Sequence, residues 1–253
     1  MRRPVGRIPC NRAIIASAPV DIHRPQAATA MPLALFDLDQ TLFSGDSDLL
    51  WCEFLVASGV LPKRFRESAH LVAARYHAGT VSPPEYCGFY ASLTAGWSFT
   101  DLEPLRSRFF EQAVRARIPQ DTRALLQRHR AAGDTLLLTT ATSRVVSELT
   151  ARDLDVDHYL CTELDAVDGR LTGLVDGLPN MGTGKLVRLR AWLAAHGYVE
   201  AELRQAVYYC DSIYDLALLS AVGRPVVVDP DPRLEATALR KRWSTMRMAR
   251  DVA

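Results

Sequence analysis

At 253 residues the chain has room for one large domain, or for a core carrying a smaller insert. Apolar content of 48%, charged content of 23% and a net charge of +1 are ordinary for a globular protein and speak against a nucleic-acid-binding surface. No apolar run reaches the roughly 18 to 20 residues that a bilayer-spanning helix needs, so no membrane partner is expected. The five cysteines (10, 52, 87, 161 and 210) are odd in number and lack a CxxC pair, which points to a reducing, cytoplasmic setting rather than a disulfide framework or zinc knuckle. The six histidines are scattered without metal-ligand spacing.

Residues 1–30 hold five arginines against a single acidic residue, Asp21. That composition suits an organellar transit peptide, but translation from Met31, directly ahead of the first strand, is the simpler reading. The segment is expected to stand outside the fold. Leu33-Ala34-Leu35-Phe36 is a continuous apolar run ending at Asp37, the pattern of a strand buried on both faces. From Ser47 to Arg117 the period turns helical, with Leu49, Leu50, Phe54 and Leu55, then Phe65, Ala69, Val72 and Tyr76, then Leu102, Leu105, Phe109 and Phe110. Breakers at Gly59, Pro62, Gly79, Pro83-Pro84 and Gly96 divide this stretch into about four helices.

Past Pro119 the pattern alternates. A helix over Asp121–Ala132 stops at Gly133, Thr135–Thr139 is a buried strand, and a helix starts near Ser143. Asp168-Gly169 marks a hairpin turn. A helix from about Gly184 to His196, a strand at Ala206–Cys210, a helix at Tyr214–Ala221 and a strand at Pro225–Val228 follow. Such alternation predicts an α/β fold, a Rossmann-like parallel sheet flanked by helices. The core is expected over residues 31–45 and 119–253, with a helical insert over 46–118 placed after the first strand.

Ligands of open parallel sheets bind beyond the carboxyl ends of the strands. The polar residues that close the apolar runs are Asp37 with Asp39, Thr140 with Thr142, and Asp211 with Ser212 and Asp215. Hard carboxylate oxygens and short hydroxyl donors suit magnesium and phosphate. Each group alone reads as a turn or a helix cap, and Lys185 alone as a solvated helix residue. Cys210 reads as a small buried side chain ending a strand. Gly182-Thr183-Gly184-Lys185 is not a nucleotide-binding P-loop, because Pro179 replaces its first glycine and Leu186 its hydroxyl residue.

Taken in order, these segments resemble the haloacid dehalogenase superfamily, and within it the phosphoserine phosphatase-like branch (subfamily IB). Leu35-Phe36-Asp37-Leu38-Asp39-Gln40-Thr41-Leu42 is similar to that family's first motif and Leu138-Thr139-Thr140-Ala141-Thr142-Ser143-Arg144 to its second. Gly184-Lys185 is similar to the third, and Asp211-Ser212-Ile213-Tyr214-Asp215 to the acidic fourth. The resemblance implies a phosphoric monoester hydrolase that acts on a small phosphorylated metabolite, with the helical insert as its cap. It implies Asp37 as nucleophile, forming an aspartyl-phosphate, and Asp39 as general acid and base. Thr140 and Lys185 are implied as phosphate-binding residues. Magnesium is implied on the Asp37 and Asp211 side chains and the Asp39 carbonyl, with Asp215 just outside that shell.

Tyr214 departs from the asparagine usual at its position, which puts that position's phosphate contact in doubt. Gln40 is expected to face away from the chemistry. Phosphoserine and histidinol phosphate are the two candidate substrates, the second because of the opening Gly45-Asp46-Ser47-Asp48. Asp46, Asp48, Trp51, Arg75, Tyr76 and Glu85 are the candidate pocket residues. The competing functions are a phosphotransferase or phosphomutase on the same fold, and a phosphometabolite-binding protein with weakened catalysis. The basic residues Arg240, Lys241, Arg242, Arg247 and Arg250 read as a solvated tail.

Overall fold

The structure is a computed structural model that describes residues 32–249 and a two-residue strand, β1 (Val20–Asp21). The rest of the arginine-rich N-terminal segment, with Cys10, Met31 and the C-terminal Arg250, lies outside the described residues. β2 (Leu33–Phe36) is followed by α1 (Ser47–Ala57), α2 (Arg64–Ala78), α3 (Pro83–Ser92) and α4 (Phe99–Phe109). α4 runs on through a π-helical turn, Phe110–Val114, and a short 3-10 turn, Arg115–Arg117. The breakers act as caps. Asp46 caps α1, Gly79 ends α2 at a φ of 70°, Ser82 caps α3 ahead of its prolines, and Ser98 with Asp101 forms a capping box on α4.

The alternating part holds α5 (Gln120–Ala132), β3 (Thr135–Ser143), α6 (Arg144–Asp153), β4 (His158–Thr162) and the hairpin β5 (Leu164–Val167) and β6 (Arg170–Val175). It continues with α7 (Thr183–Ala195), α8 (Glu200–Leu203), β7 (Val207–Cys210), α9 (Leu216–Leu219), β8 (Arg224–Val228), α10 (Pro232–Lys241) and β9 (Ser244–Met246). The main sheet has the order β1-β4-β3-β2-β7-β8-β9 and is parallel except for β1 on its edge. β2 is central and buried on both faces. Ala34 and Phe36 pack toward α5, α6 and the insert, whereas Leu33 and Leu35 pack toward α7, α9 and α10.

Several elements depart from the sequence expectation. β3 continues through Thr140 and Thr142 instead of ending at Thr139, and its register against β4 shifts between Thr139 and Ser143. The expected helix at Tyr214–Ala221 is a 3-10 turn, Ile213–Asp215, followed by the single-turn α9. There the backbone is tied by Tyr214 N–H to Ser212 Oγ (3.3 Å) and Asp231 N–H to Asp211 O (2.8 Å). β4, α10 and β9 add to the expected set. Arg240 and Lys241 form the last turn of α10, and Arg247 pairs with Glu235 at 3.1 Å, so these three exposed residues belong to ordered elements rather than to a trailing tail.

α4 is fastened to α6 by Arg106, which is 4% exposed. Its Nη2 donates to Glu148 Oε2 of α6 at 2.5 Å and its Nε to the Val145 carbonyl at 2.8 Å. Glu148 also holds Arg152 at 2.8 Å, so removing Arg106 does not leave that carboxylate alone. We therefore expect Arg106→Ala to cost about 2 kcal/mol, near the middle of the range for a charged hydrogen-bonding group. In thermal denaturation that corresponds to a Tm lower by roughly 5 °C.

Candidate active site

Phe36 pairs with Leu138 of β3 and Tyr209 of β7. Asp37 therefore leaves the sheet between two neighbouring strands, level with Thr139 and Cys210, and its N–H donates to the Tyr209 carbonyl at 2.9 Å. Asp37, Asp39, Thr140, Lys185, Asp211 and Asp215 all line one pocket at this end of the sheet. Cys210 is fully buried, as a strand-ending small side chain should be.

Lys185 reaches the pocket because α7 begins unusually close to the preceding loop. A Cβ on Gly184 would stand 2.2 Å from the Pro179 carbonyl oxygen, so only glycine lets the helix start there. Lys185 is 2% exposed, and its Nζ donates to Asp37 Oδ1 at 2.9 Å and to Asp215 Oδ2 at 2.7 Å. Tyr208 completes the arrangement, donating its hydroxyl to Asp215 Oδ2 at 2.6 Å while standing 3.2 Å from Nζ. Burial works against the ammonium, but the facing charges of Asp215 and Asp37 outweigh it and hold the Lys185 pKa above its ordinary value.

The carboxylates feel the opposite balance. Burial pushes Asp37 up to about 6, the Lys185 charge opposing and Asp215 reinforcing the shift. Burial and then the charge of Asp46 push Asp39 up to about 7, against hydrogen bonds from Ser47 and Thr142. Asp211 is held well above the carboxylate range by burial and by Asp37 and Asp215. Burial thus disfavours the charge on all three carboxylates, and at Asp37 the Lys185 ammonium offsets part of that cost.

Among the described residues no group of three His, Cys, Asp or Glu side chains is set to hold a metal on its own. The set implied by the sequence asks for less: two carboxylates, Asp37 and Asp211, and the Asp39 backbone carbonyl. Their chemistry fits magnesium, since all three donors are hard oxygens and the buried carboxylates outnumber the one ammonium bonded to them. A divalent cation there would lower the raised pKa values of its carboxylate ligands.

Of the candidate pocket residues, Asp46 and Tyr76 line the cavity and four do not. Trp51 packs in the core, and Asp48, also at most 2% exposed, is buried beside Asp46, Asp39 and Thr142 without lining the cavity, its Oδ1 lacking a hydrogen-bond partner. Arg75 and Glu85 pair with each other at the surface. Gln40, expected to face away, lines the pocket with its backbone in the left-handed region at a φ of 55°. Tyr214 also lines it, stacking on Tyr76 with ring centroids 4.7 Å apart and donating its hydroxyl to the Val81 carbonyl at 3.0 Å.

The sequence reading passed over four groups. His77 and Tyr86 line the pocket, and Tyr208 braces Lys185. Asn180 ties the loop before α7 to the sheet, its Nδ2 donating to Thr139 Oγ1 at 3.0 Å and the Thr140 carbonyl at 2.9 Å. Tyr208 carried a signal, as a hydroxyl in an otherwise apolar buried strand. Asn180 carried none.

This arrangement can be set beside known proteins. The family model of the haloacid dehalogenase-like hydrolases matches residues 34–220, which spans every residue of the cluster just described. The chain belongs to that family. A histidinol-phosphatase of Neisseria meningitidis is 32% identical over 216 residues, covering 85% of this chain and 97% of that protein. A phosphoserine phosphatase of Mycobacterium tuberculosis is 29% identical, covering 95% and 82%. The enzyme class expected of this haloacid dehalogenase-like hydrolase, phosphoric monoester hydrolysis, is the class of both named relatives.

Among solved structures, a protein of unknown function from Bordetella pertussis Tohama I matches with a TM-score of 0.80 at 33% identity, over 86% of this chain and 99% of that one. A phosphoserine phosphatase holding a phospho-aspartyl intermediate analogue matches with a TM-score of 0.63 at 18% identity, over 88% and 96%, a likeness of fold. No helix of the described residues is long and apolar enough to cross a membrane.

Proposed function

We propose that this hydrolase is a magnesium-dependent phosphomonoesterase, working through an aspartyl-phosphate on Asp37, for a small amine-bearing metabolite of the histidinol phosphate type. The observation that carries the chemistry is the Lys185 ammonium bonded to both Asp37 and Asp215 in the pocket that Asp39, Thr140 and Asp211 also line. Asp37 attacks phosphorus as its bond to the leaving alcohol breaks, and Asp39 gives its proton to the departing oxygen. Asp39 then takes a proton from the water that attacks the aspartyl-phosphate, which releases inorganic phosphate and restores Asp37. Lys185 neutralises the phosphoryl oxygens. The Thr140 Oγ1 accepts the Thr142 N–H at 3.2 Å, which leaves its own hydrogen to donate to phosphate. Asp37, Asp211 and the Asp39 carbonyl would hold magnesium, which when bound would supply Lewis-acid neutralisation of the phosphoryl oxygens. The four described cysteines are free and buried, in keeping with a reducing cytoplasm.

The leaving-group side of the pocket supports an amine over an amino acid. Asp46 lines it among the rings of Tyr76, Tyr86 and Tyr214; burial raises its pKa while the neighbouring His77 opposes that rise, and among the described lining residues there is no arginine. Lys185 is already committed to two carboxylates. A substrate carboxylate would be desolvated without a strong partner, whereas an ammonium would meet Asp46.

The test is phosphate release over a metabolite panel with magnesium, with Asp37→Asn and chelated wild type as blanks. Histidinol phosphate should exceed phosphoserine by at least ~10-fold in kcat/KM, the discrimination that one unpaired polar group provides. A preference for phosphoserine would overturn the substrate reading. Asparagine at position 46 retains the capping acceptor for Leu49 N–H (now 2.9 Å) but not the charge. Asp46→Asn should therefore raise KM for histidinol phosphate by ~10-fold or more and leave p-nitrophenyl phosphate within ~3-fold.

A further inference from the structure

We infer that Ser47 and Thr142 are positioning residues for Asp39, holding one carboxyl oxygen so that the other is free to exchange the proton with the leaving group. Asp39 Oδ2 accepts from Ser47 Oγ at 2.9 Å and from Thr142 Oγ1 at 2.8 Å, and the two hydroxyl oxygens lie 3.2 Å apart. Both clamping residues are buried, at 3% and 1% exposure, which shields the donor side of these bonds while Asp39 itself faces the pocket. Oδ1 accepts a longer bond, from Ser47 N–H at 3.2 Å. Two short hydroxyl bonds occupy Oδ2, which leaves Oδ1 as the oxygen that carries and returns the proton.

The clamp comes from two separate parts of the chain. Ser47 is the first residue of α1, the helix that opens the insert, and it follows the cap residue Asp46. Thr142 lies on β3 past the point where the register against β4 shifts. That shift is what lets the strand stay extended past Thr140, bringing a second hydroxyl residue to the site. The first turn of the insert thus fixes the acid's geometry, and the proton-transfer step depends on the insert as well as the core. A carboxyl free to rotate would spend much of its time with neither oxygen aligned on the scissile bond.

This inference rests on Asp39 acting as the acid, and a leaving-group comparison separates the two claims. The measured quantity is kcat/KM with magnesium for p-nitrophenyl phosphate, whose leaving phenolate needs no proton, and for phenyl phosphate and 2-aminoethyl phosphate, whose leaving oxygens do. It reports the steps up to aspartyl-phosphate formation, where the acid acts. Ser47→Ala and Thr142→Val should each lose ~10-fold or more on phenyl and aminoethyl phosphate and less than ~3-fold on p-nitrophenyl phosphate. Ser47→Thr and Thr142→Ser, which retain the hydroxyl, should recover most of that loss. An equal loss on all three substrates would mean a merely structural role, and no loss would mean no clamp; either overturns the inference. Asp39→Asn, run in parallel, assigns the failure. If it shows the leaving-group-dependent loss and the clamp variants do not, the clamp is wrong; if it shows none either, the acid assignment has failed and the clamp falls with it.

Discussion

Asp37→Asn lowers kcat by at least ~10,000-fold on every phosphomonoester the wild type hydrolyses, the scale on which removal of a nucleophile acts. The amide preserves the shape of the site but cannot form an acyl-phosphate. Lys185 retains its 2.7 Å bond to Asp215, so the local fold should survive. Stability is expected to move the other way. Burial pushes the Asp37 pKa from its ordinary 3.8 up to about 6 in the fold. A carboxyl with a raised folded pKa withdraws stability as pH climbs through that window, because the buried site resists its charge. At pH 7 without metal, the neutral amide should therefore melt at the same temperature as wild type or higher. Loss of activity without loss of Tm distinguishes a missing nucleophile from a damaged fold.

Lys185→Met should damage both. The ammonium lies between two buried carboxylates, and methionine fills a similar volume without charge. Breaking a buried pair by removing one partner costs about 3–5 kcal/mol, since the remaining charges are left uncompensated. For a chain of this size that is a Tm lower by roughly 10 °C. Loss of the cation that neutralises phosphoryl oxygens should lower kcat by a further ~100-fold or more in whatever protein remains folded. A Lys185→Met protein that melts within a degree or two of wild type would show that the three-way arrangement with Asp37 and Asp215 is not maintained in solution.

The sequence carried most of the core because the relevant signals are local. Leu33–Phe36 announced a strand buried on both faces, and the residue after it had to emerge at the carboxyl edge of the sheet. The same logic brought Asp211 to the neighbouring strand end, and Gly184-Lys185 to a helix start. What it missed depends on groups far apart in the chain. Tyr208 and Asn180 take part only through tertiary packing, at separations of 23 and 40 residues from the groups they hold. The pocket candidates failed on helical phase. Asp46 sits before the first turn of α1 and faces the cavity, whereas Asp48 and Trp51, further round the same helix, are buried away from it, Trp51 in the core. Tyr76 and Arg75 adjoin on α2, yet a rotation of about 100° per residue sends one to the pocket and the other to the surface. The Gln40 expectation failed because its left-handed backbone reverses the direction the chain would otherwise take.

The central claim is the covalent step on Asp37. It is tested most directly by acid-quenching the enzyme during turnover of p-nitrophenyl phosphate with magnesium and mapping the adduct by peptide mass spectrometry. The account predicts a phosphoryl group on the peptide that contains Asp37, removed by borohydride reduction of the acyl-phosphate and absent from Asp37→Asn. A quenched enzyme that turns over at full rate with no adduct, or with the adduct on a residue other than Asp37, would contradict it.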